Sequence, residues 1–464
     1  MIPDNWPQAF VERMRDWLAD EADALFAAMN KREVGLRLNP RRGDVAALRV
    51  RLSQAGWETS PVPWCPAGAW MPEDEIEDAP GKHPYHTAGV YYLQDPSAMA
   101  AGVILDPRPG EWVLDIAAAP GGKATHIAAR MEQRGVLVAN DVSRGRASVL
   151  AKNIERMGVT NALITNETPP RLANRWAGLF DAVLVDAPCS GESTFARDDQ
   201  AARRWNLDEV RSYAYHQGEI LAQSARLVRP GGRLLYGTCT FSPEENEGVI
   251  AAFLAEHEDF ALMDLPALPG LQPGRAEWID APARLARAGR FWPHLAPGHG
   301  HFYALLHRTG EPTRALPDRW TGTQVPGRVL RRYREGVGAA LRSDPPEEGL
   351  YLATPHDHLY ITPMAPDLWE GLHVLRPGWW VASLRHNQVN ADHALAVAIR
   401  PEAARATLDL APDDPRLAQF LRGSGWPSDG PKGVVLVTVN GFPLGWAKRS
   451  GGRLHSRYPM HLRK

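Results

Sequence analysis

The chain has 464 residues, 44% hydrophobic and 23% charged, with 52 Lys+Arg against 54 Asp+Glu for a formal charge of −2. That is ordinary globular composition, long enough for two to four domains at roughly 150 residues each. No apolar run reaches the ~18 residues of a membrane span, Met1-Ile2-Pro3-Asp4 lacks a signal-peptide layout, and Cys65, Cys189 and Cys239 contain no CxxC pair, which excludes a disulfide framework and a zinc cluster. We expect a cytoplasmic chain with no membrane partner and no metal.

Apolar residues at helical spacing (Phe10, Met14, Trp17, Leu18, Leu25, Met29) predict one or two amphipathic helices in the first thirty positions. A short strand over 36–39 and a helix over 45–54 follow, and then a Pro- and Trp-rich passage, 57–84, reads as mostly irregular connection. From 112 to about 307 the pattern changes. Strands over 113–116, 136–140, 162–165, 182–186 and 234–237 alternate with helices over 123–134, 144–157 and 207–228, and another helix at 243–257 follows the last strand. Such alternation implies an α/β unit with a mostly parallel sheet covered on both faces. Residues 289–292 and 301–306 read as an antiparallel hairpin at one edge. Beyond 310 lies a third region, with its most linker-like stretch at 312–326, in which 434–439, Asn440-Gly441 and 444–447 read as strand, tight turn, strand.

The strongest local signal is Val113-Leu114-Asp115-Ile116-Ala117-Ala118-Ala119-Pro120-Gly121-Gly122-Lys123. Here a buried strand ends in an acid, small residues follow, and a helix begins. Small side chains admit a ligand close to the backbone, and amides at the helix start favour a negative group. The next strand ends at Asp141, 26 residues after Asp115, where acids in such folds accept ribose hydroxyls. The loop is neither GxGxxG nor a GK[ST] phosphate loop, because Ala124 follows Lys123. Asp115 would repel a pyrophosphate and suits a cationic cofactor. S-adenosylmethionine fits better than NAD or ATP.

Asp186-Ala187-Pro188-Cys189-Ser190-Gly191 follows the fourth strand and Thr238-Cys239-Thr240 the fifth. Carboxyl ends of neighbouring parallel strands open into one crevice, so both sulfurs can face one substrate. Cytosine C5 becomes nucleophilic only after something adds to C6, and a thiolate attacks and leaves there readily. A carboxyl such as Asp186, near N3 and the exocyclic amine, would stabilise charge during attack. For Cys65 we expect only buried packing.

Together AAPGGK, DAPCSG and TCT resemble the Nol1/Nop2/Sun family of RNA (cytosine-5)-methyltransferases, and within it the bacterial 16S rRNA enzymes of the RsmF/YebU type. The similarity extends to Tyr91-Tyr92-Leu93-Gln94-Asp95-Pro96-Ser97, Phe291-Trp292-Pro293-His294, Gly300-His301-Phe302, Leu444-Gly445-Trp446-Ala447-Lys448 and Tyr458-Pro459. The resemblance implies a Rossmann-like S-adenosylmethionine-dependent methyltransferase domain (106–309) between an N-terminal α+β domain (1–105) and a C-terminal α+β RNA-binding region (310–464), for which a PUA-like fold is one candidate. It also implies that Cys239 attacks, Cys189 assists product release, and Asp186 lies between cofactor and base. Ala117, Ala118, Ala119, Pro120, Gly121, Gly122, Lys123, Asp141 and Asp186 would hold the cofactor. The adenine-side contact is left open between Asn166 and Thr168. Where many relatives read PCSGEGMFR, this chain places Ser193 and Thr194 after Glu192, and Ile116-Ala117 replaces a frequent Leu-Cys.

The tail 441–464 contains no acid and carries Lys448, Arg449, Arg453, Arg457, Arg463 and Lys464, interleaved with Trp446, His455 and Tyr458. Cationic heads with flat rings suit single-stranded or bulged RNA. Arg197, Arg203, Arg204 and Trp205 follow the PCSG loop and could flank the target strand. Attack at C6 requires approach to the ring face, so the cytosine must be flipped or already unstacked. The expected partner is 16S rRNA or the small ribosomal subunit, acted on by a monomer. Alternatives are a tRNA methyltransferase or a non-catalytic RNA-binding or ribosome-assembly protein, the latter disfavoured because both cysteine motifs are intact.

Overall fold

In a computed structural model the described residues are 2–463, apart from 74–75, 77–78, 312–315, 317, 354–355 and 386–387. Helices α1 (Gln8–Leu18) and α2 (Ala22–Met29) form at the predicted amphipathic stretch. Strand β1 (Glu33–Leu38) and helix α3 (Val45–Gln54) follow. The latter starts where Asp44 accepts from the Ala46 and Ala47 amides, satisfying two donors that a helix start leaves orphaned. The passage expected to be irregular instead holds β2 (Ser60–Val62) and the eight-residue β3 (Cys65–Pro72). β3 pairs along β1, which leaves Pro66 and Pro72 at its two ends. After α4 (Pro84–Thr87), β4 (Tyr91–Leu93) completes a sheet in the order β2-β3-β1-β4, and α5 (Pro96–Leu105) leads onward.

The central elements alternate as expected: β5 (Trp112–Asp115), α6 (Gly122–Arg130), β6 (Val136–Asn140), α7 (Arg144–Arg156), β7 (Ala162–Thr165), α8 (Pro169–Arg175) and β8 (Phe180–Asp186). Then come α9 (Asp199–Arg204), α10 (Leu207–Leu227), β9 (Val228–Thr238), α11 (Glu247–Glu256), β10 (Phe260–Leu262), β11 (Leu271–Pro273), β12 (Gly289–Phe291) and β13 (His301–Arg308). β9-β8-β5-β6-β7 run parallel, and β13 and β12 extend the β9 edge antiparallel. Alternate residues enter opposite cores: Trp112, Leu114, Val136 and Val138 pack on one face, Val113, Leu137 and Ala139 on the other. Burial on both faces is why these strands read as unbroken apolar runs.

The remaining chain contributes α12 (Gly327–Gly338), β14 (Leu350–Ala353), β15 (His358–Ile361), β16 (Val374–Arg376), β17 (Trp379–Arg385), β18 (Gln388–Ala391) and α13 (His393–Ala398). It ends with β19 (Thr407–Leu410), α14 (Pro415–Leu421), β20 (Gly425–Pro427), β21 (Gly433–Val439), β22 (Phe442–Ser450) and β23 (Arg453–Ser456). The expected hairpin is β21–β22, closed by Asn440 and Gly441 at φ 46° and 81°, the left-handed pair that a tight two-residue turn requires. β16 adds antiparallel to β7 on the central sheet, a strand not anticipated from the sequence. The linker-like stretch 312–326 lies partly outside the described residues. No helix among the described residues is long and apolar enough to cross a membrane.

Candidate active site

The loop after β5 is held from several sides. Ala118 N donates to Asn140 O (2.7 Å), while Arg146 and Asn153, both on α7, donate to the Ala119 and Pro120 carbonyls (2.8 and 2.9 Å). Gly121 has φ 115°, which side chains rarely adopt, and a Cβ there would sit 3.2 Å from Leu150 Cδ1. Asp115 at the end of β5 is fully buried, and neither of its oxygens completes a hydrogen bond, the Ala117 amide approaching without full geometry. Burial, then the charge of Asp186, push its carboxyl up to about 8. A buried acid without a completed partner beside a loop of small residues fits a cationic ligand. Asp141, at the end of β6, accepts from Ser143 N (2.9 Å) and is 1% exposed. Of the two adenine-side candidates, Asn166 donates to the Asp141 and Val142 carbonyls (2.8 and 2.9 Å), whereas Thr168 is exposed before α8.

Arg37 of β1, which the sequence reading did not single out, anchors the same loop. It donates to Gln94 Oε1 (2.7 Å), Gly122 O (3.1 Å) and Thr125 Oγ1 (2.6 Å), and burial lowers its pKa to about 10. Nothing in a short amphipathic strand marks one arginine as inward-facing. Arg37→Met keeps the apolar stem but removes the donors, at a cost of about 2–3 kcal/mol. The expected outcome is a lower melting temperature and about a tenfold higher KM for S-adenosylmethionine with kcat little changed, read from steady-state kinetics.

The β8/β9 register sets Asp186 opposite Gly237, so chain segments leaving both strands emerge side by side. Cys189 Sγ lies 3.3 Å from Cys239 Sγ. Lys123 Nζ, expected only in the cofactor loop, pairs with Asp186 Oδ1 at 2.7 Å and so links that loop to the cysteines' side of the crevice. Cys239 is held below the usual thiol range, chiefly by accepting from Cys189 and with help from Lys123, against burial and the charge of Asp186. Cys189 moves up for the reciprocal reason, as the donor in that contact and a buried thiol. The directions of the two shifts make Cys239 the sulfur that gives up its proton first and Cys189 the one that keeps it.

Two buried acids that the sequence reading passed over brace these loops. Glu245 accepts from Ser190 N (2.9 Å), Ser190 Oγ (2.5 Å) and Gln217 Nε2 (2.8 Å), and its burial, with Glu192 nearby, raises it to about 8. Glu192 accepts from Trp205 Nε1 (2.8 Å), Phe241 N (2.7 Å) and Ser242 Oγ (2.5 Å), tying the PCSG loop to the segment after Cys239. The available signal was an acid immediately after the Cys189 motif, Glu192, and a pair of acids a few residues after Cys239, Glu244 and Glu245. The outlying segments 91–97 and 300–302 meet at the same end of the sheet: Ser97 Oγ is 2.8 Å from His301 Nδ1, and Asp95 accepts from His299 N (2.9 Å). Cys65 is buried, with its sulfur 4.0 Å from His126 Nε2.

The basic candidates fall in two places. Arg197 donates to Glu33 O (2.8 Å) and Arg203 is exposed at the end of α9, both beyond the Cys189 loop. Lys448, Arg449 and Arg453 lie on the β22–β23 hairpin, with Arg457 just after it, in a five-stranded sheet separate from the one that carries the cysteines. Trp446 and Tyr458, read as stacking rings, are instead 2% and 6% exposed, because the first six residues of β22 are buried and Tyr458 packs on Phe420. Trp205 is likewise buried, bonded to Glu192, while His455 is exposed. Lys464 lies outside the described residues.

Four family models match the chain: the 16S rRNA methyltransferase RsmB/F over residues 102–307, the N-terminal domain of 16S rRNA methyltransferase RsmF over 6–96, the RsmF first C-terminal domain over 340–399, and the RsmF PUA domain over 407–464. Ribosomal RNA small subunit methyltransferase F of Escherichia coli K12 is 31% identical over 98% of this chain and 96% of its own length. Among solved structures, a methyltransferase homologue from Pyrococcus horikoshii is 30% identical with a TM-score of 0.57, covering 65% of this chain and 95% of that one. An NSun6 structure from the same organism shares the fold at 20% identity, with a TM-score of 0.58 over 66% of this chain and all of that one. Fold and site together define a Rossmann-like, S-adenosylmethionine-dependent methyltransferase. The chain belongs to the RsmB/F family, as an RsmF-like enzyme that methylates C5 of cytosine in rRNA.

Proposed function

We propose that the substrate is 16S rRNA, free or within the small ribosomal subunit, and that the two sulfurs carry the reaction. The observation supporting this is their 3.3 Å approach beside the Lys123–Asp186 pair, at the ends of two paired strands. Ala117 to Lys123 and Asp141 would hold the cofactor, whose sulfonium supplies an electrophilic methyl group. Cys239 forms a bond to cytosine C6, and the electron pair pushed toward N3 takes up a proton that Asp186 relays from Lys123 and recovers on elimination. The activated C5 would then take the methyl group as its bond to the sulfonium sulfur breaks, leaving a neutral thioether. A base then removes the C5 proton, the C5–C6 double bond re-forms, and the Cys239–C6 bond breaks, with Cys189 assisting release. Basic side chains at Arg197, Arg203, Lys448, Arg449, Arg453 and Arg457 would engage RNA phosphates.

Labelled-methyl transfer to free 16S rRNA, small subunits and tRNA tests the substrate. Incorporation into 16S rRNA or subunits is expected, and incorporation into tRNA alone would reject this assignment. Cofactor affinity should also depend on pH. A cation beside Asp115 stabilises its charged form, so binding expels a proton whenever the free carboxyl, with its pKa near 8, is protonated. Affinity is therefore expected to rise with pH by up to about tenfold per unit and level off above 8, measurable by titration calorimetry.

A further inference from the structure

Ser193 stands where the resembled family reads glycine, in a short turn after Glu192. Its amide donates to the Cys239 carbonyl (3.2 Å), which fixes the residue against the nucleophile. The side chain is 4% exposed, and its hydroxyl is shut off from solvent without completing a hydrogen bond in the resting geometry. By contrast its neighbour Thr194 satisfies its own hydroxyl on Gly191 O (2.7 Å). A buried donor left unsatisfied costs free energy unless an acceptor arrives at some stage of the work. The nearby acceptor that changes state during the reaction is Cys239 Sγ, uncharged in the C6 adduct and anionic before attack and after elimination.

We infer that Ser193 is a positioning residue for Cys239, its hydroxyl turning to donate to the thiolate and stabilising it as attacking and as leaving group. This rests on Cys239 being the nucleophile. A glycine at this position has no such donor, so the device belongs to this chain's own loop and not to the shared motif. Its direction agrees with the electrostatics, since Ser193 is among the groups that hold Cys239 low. The other groups around Cys239 are Cys189 after β8, Asp186 at the end of β8, Lys123 on α6 and Tyr303 on β13. Lys123 and Cys189 favour the thiolate and Asp186 opposes it, so Ser193 adds a neutral donor without adding charge.

The test compares the intact protein with Ser193→Ala and Ser193→Thr, following iodoacetamide labelling of Cys239 by peptide mass spectrometry from pH 5.5 to 9.5, with the pH profile of kcat/KM on RNA alongside. In Ser193→Ala, labelling near pH 6.5 is expected to fall about tenfold and to converge with the natural protein at high pH, the acid limb of kcat/KM moving up in step. Ser193→Thr, which keeps the hydroxyl, should restore both. Superimposable labelling profiles, or a uniform loss at every pH with unmoved limbs, would overturn the inference. Labelling needs no RNA, so its outcome is separable from the role of Cys239 in methyl transfer, which Cys239→Ala tests.

Discussion

Cys239→Ala is expected to abolish methyl transfer and to leave no protein–RNA adduct on a denaturing gel, whereas Cys189→Ala is expected to accumulate one. The asymmetry follows from the contact between the sulfurs. The sulfurs lie 3.3 Å apart, and of the two Cys239 is held low and Cys189 high, so Cys239 is the one that ionises and Cys189 the one that keeps its proton. Without Cys239 nothing adds to C6, and C5 stays too poor a nucleophile to accept the methyl group. Without Cys189 the charge of Lys123 still favours the thiolate, so attack proceeds and the step left unassisted is departure. Full turnover by Cys239→Ala would refute the covalent scheme. Full turnover by Cys189→Ala would remove only the release role.

Asp186→Asn is expected to lower kcat by about 10²–10³-fold, the usual consequence of losing one preorganised electrostatic group at a reacting centre. It also strips the 2.7 Å partner from Lys123, whose side chain is 12% exposed and whose proton is held by Asp186 against burial. Kinetics alone would not distinguish loss of chemistry from a collapsed loop. Asp115 supplies the second readout, because the charge of Asp186 is one reason its carboxyl is raised. Removing that charge lets Asp115 ionise earlier, so the pH at which cofactor affinity levels off should move below 8. An unmoved break with intact cofactor binding would show that the two acids are not coupled.

Much of this was legible in the chain because each signal was local. Strands buried on both faces write themselves as apolar runs, and a loop that must approach a ligand needs the small residues of AAPGGK. That Cys189 and Cys239 converge was readable from strand–helix alternation, which places parallel strand ends together. What escaped depends on partners distant in sequence. Arg37 is inward only because Gln94 and Gly122 meet it, Lys123 reaches across to Asp186, and β16 finds β7 from roughly two hundred residues away. Trp446 misled because an aromatic within a basic run looks exposed until strand pairing turns it into the core.

Helix α7 grips the loop after β5 through Arg146 and Asn153, and its Glu155 also binds Arg376 of β16 at 2.5 Å, with both side chains largely buried. A chain cut near residue 309 would therefore bare the rim of β7 and strand an inward-facing anion, a loss of several kcal/mol. The catalytic body is not a cassette that can be lifted out. The chain beyond residue 309 and the loop after β5 are pinned to the same rod.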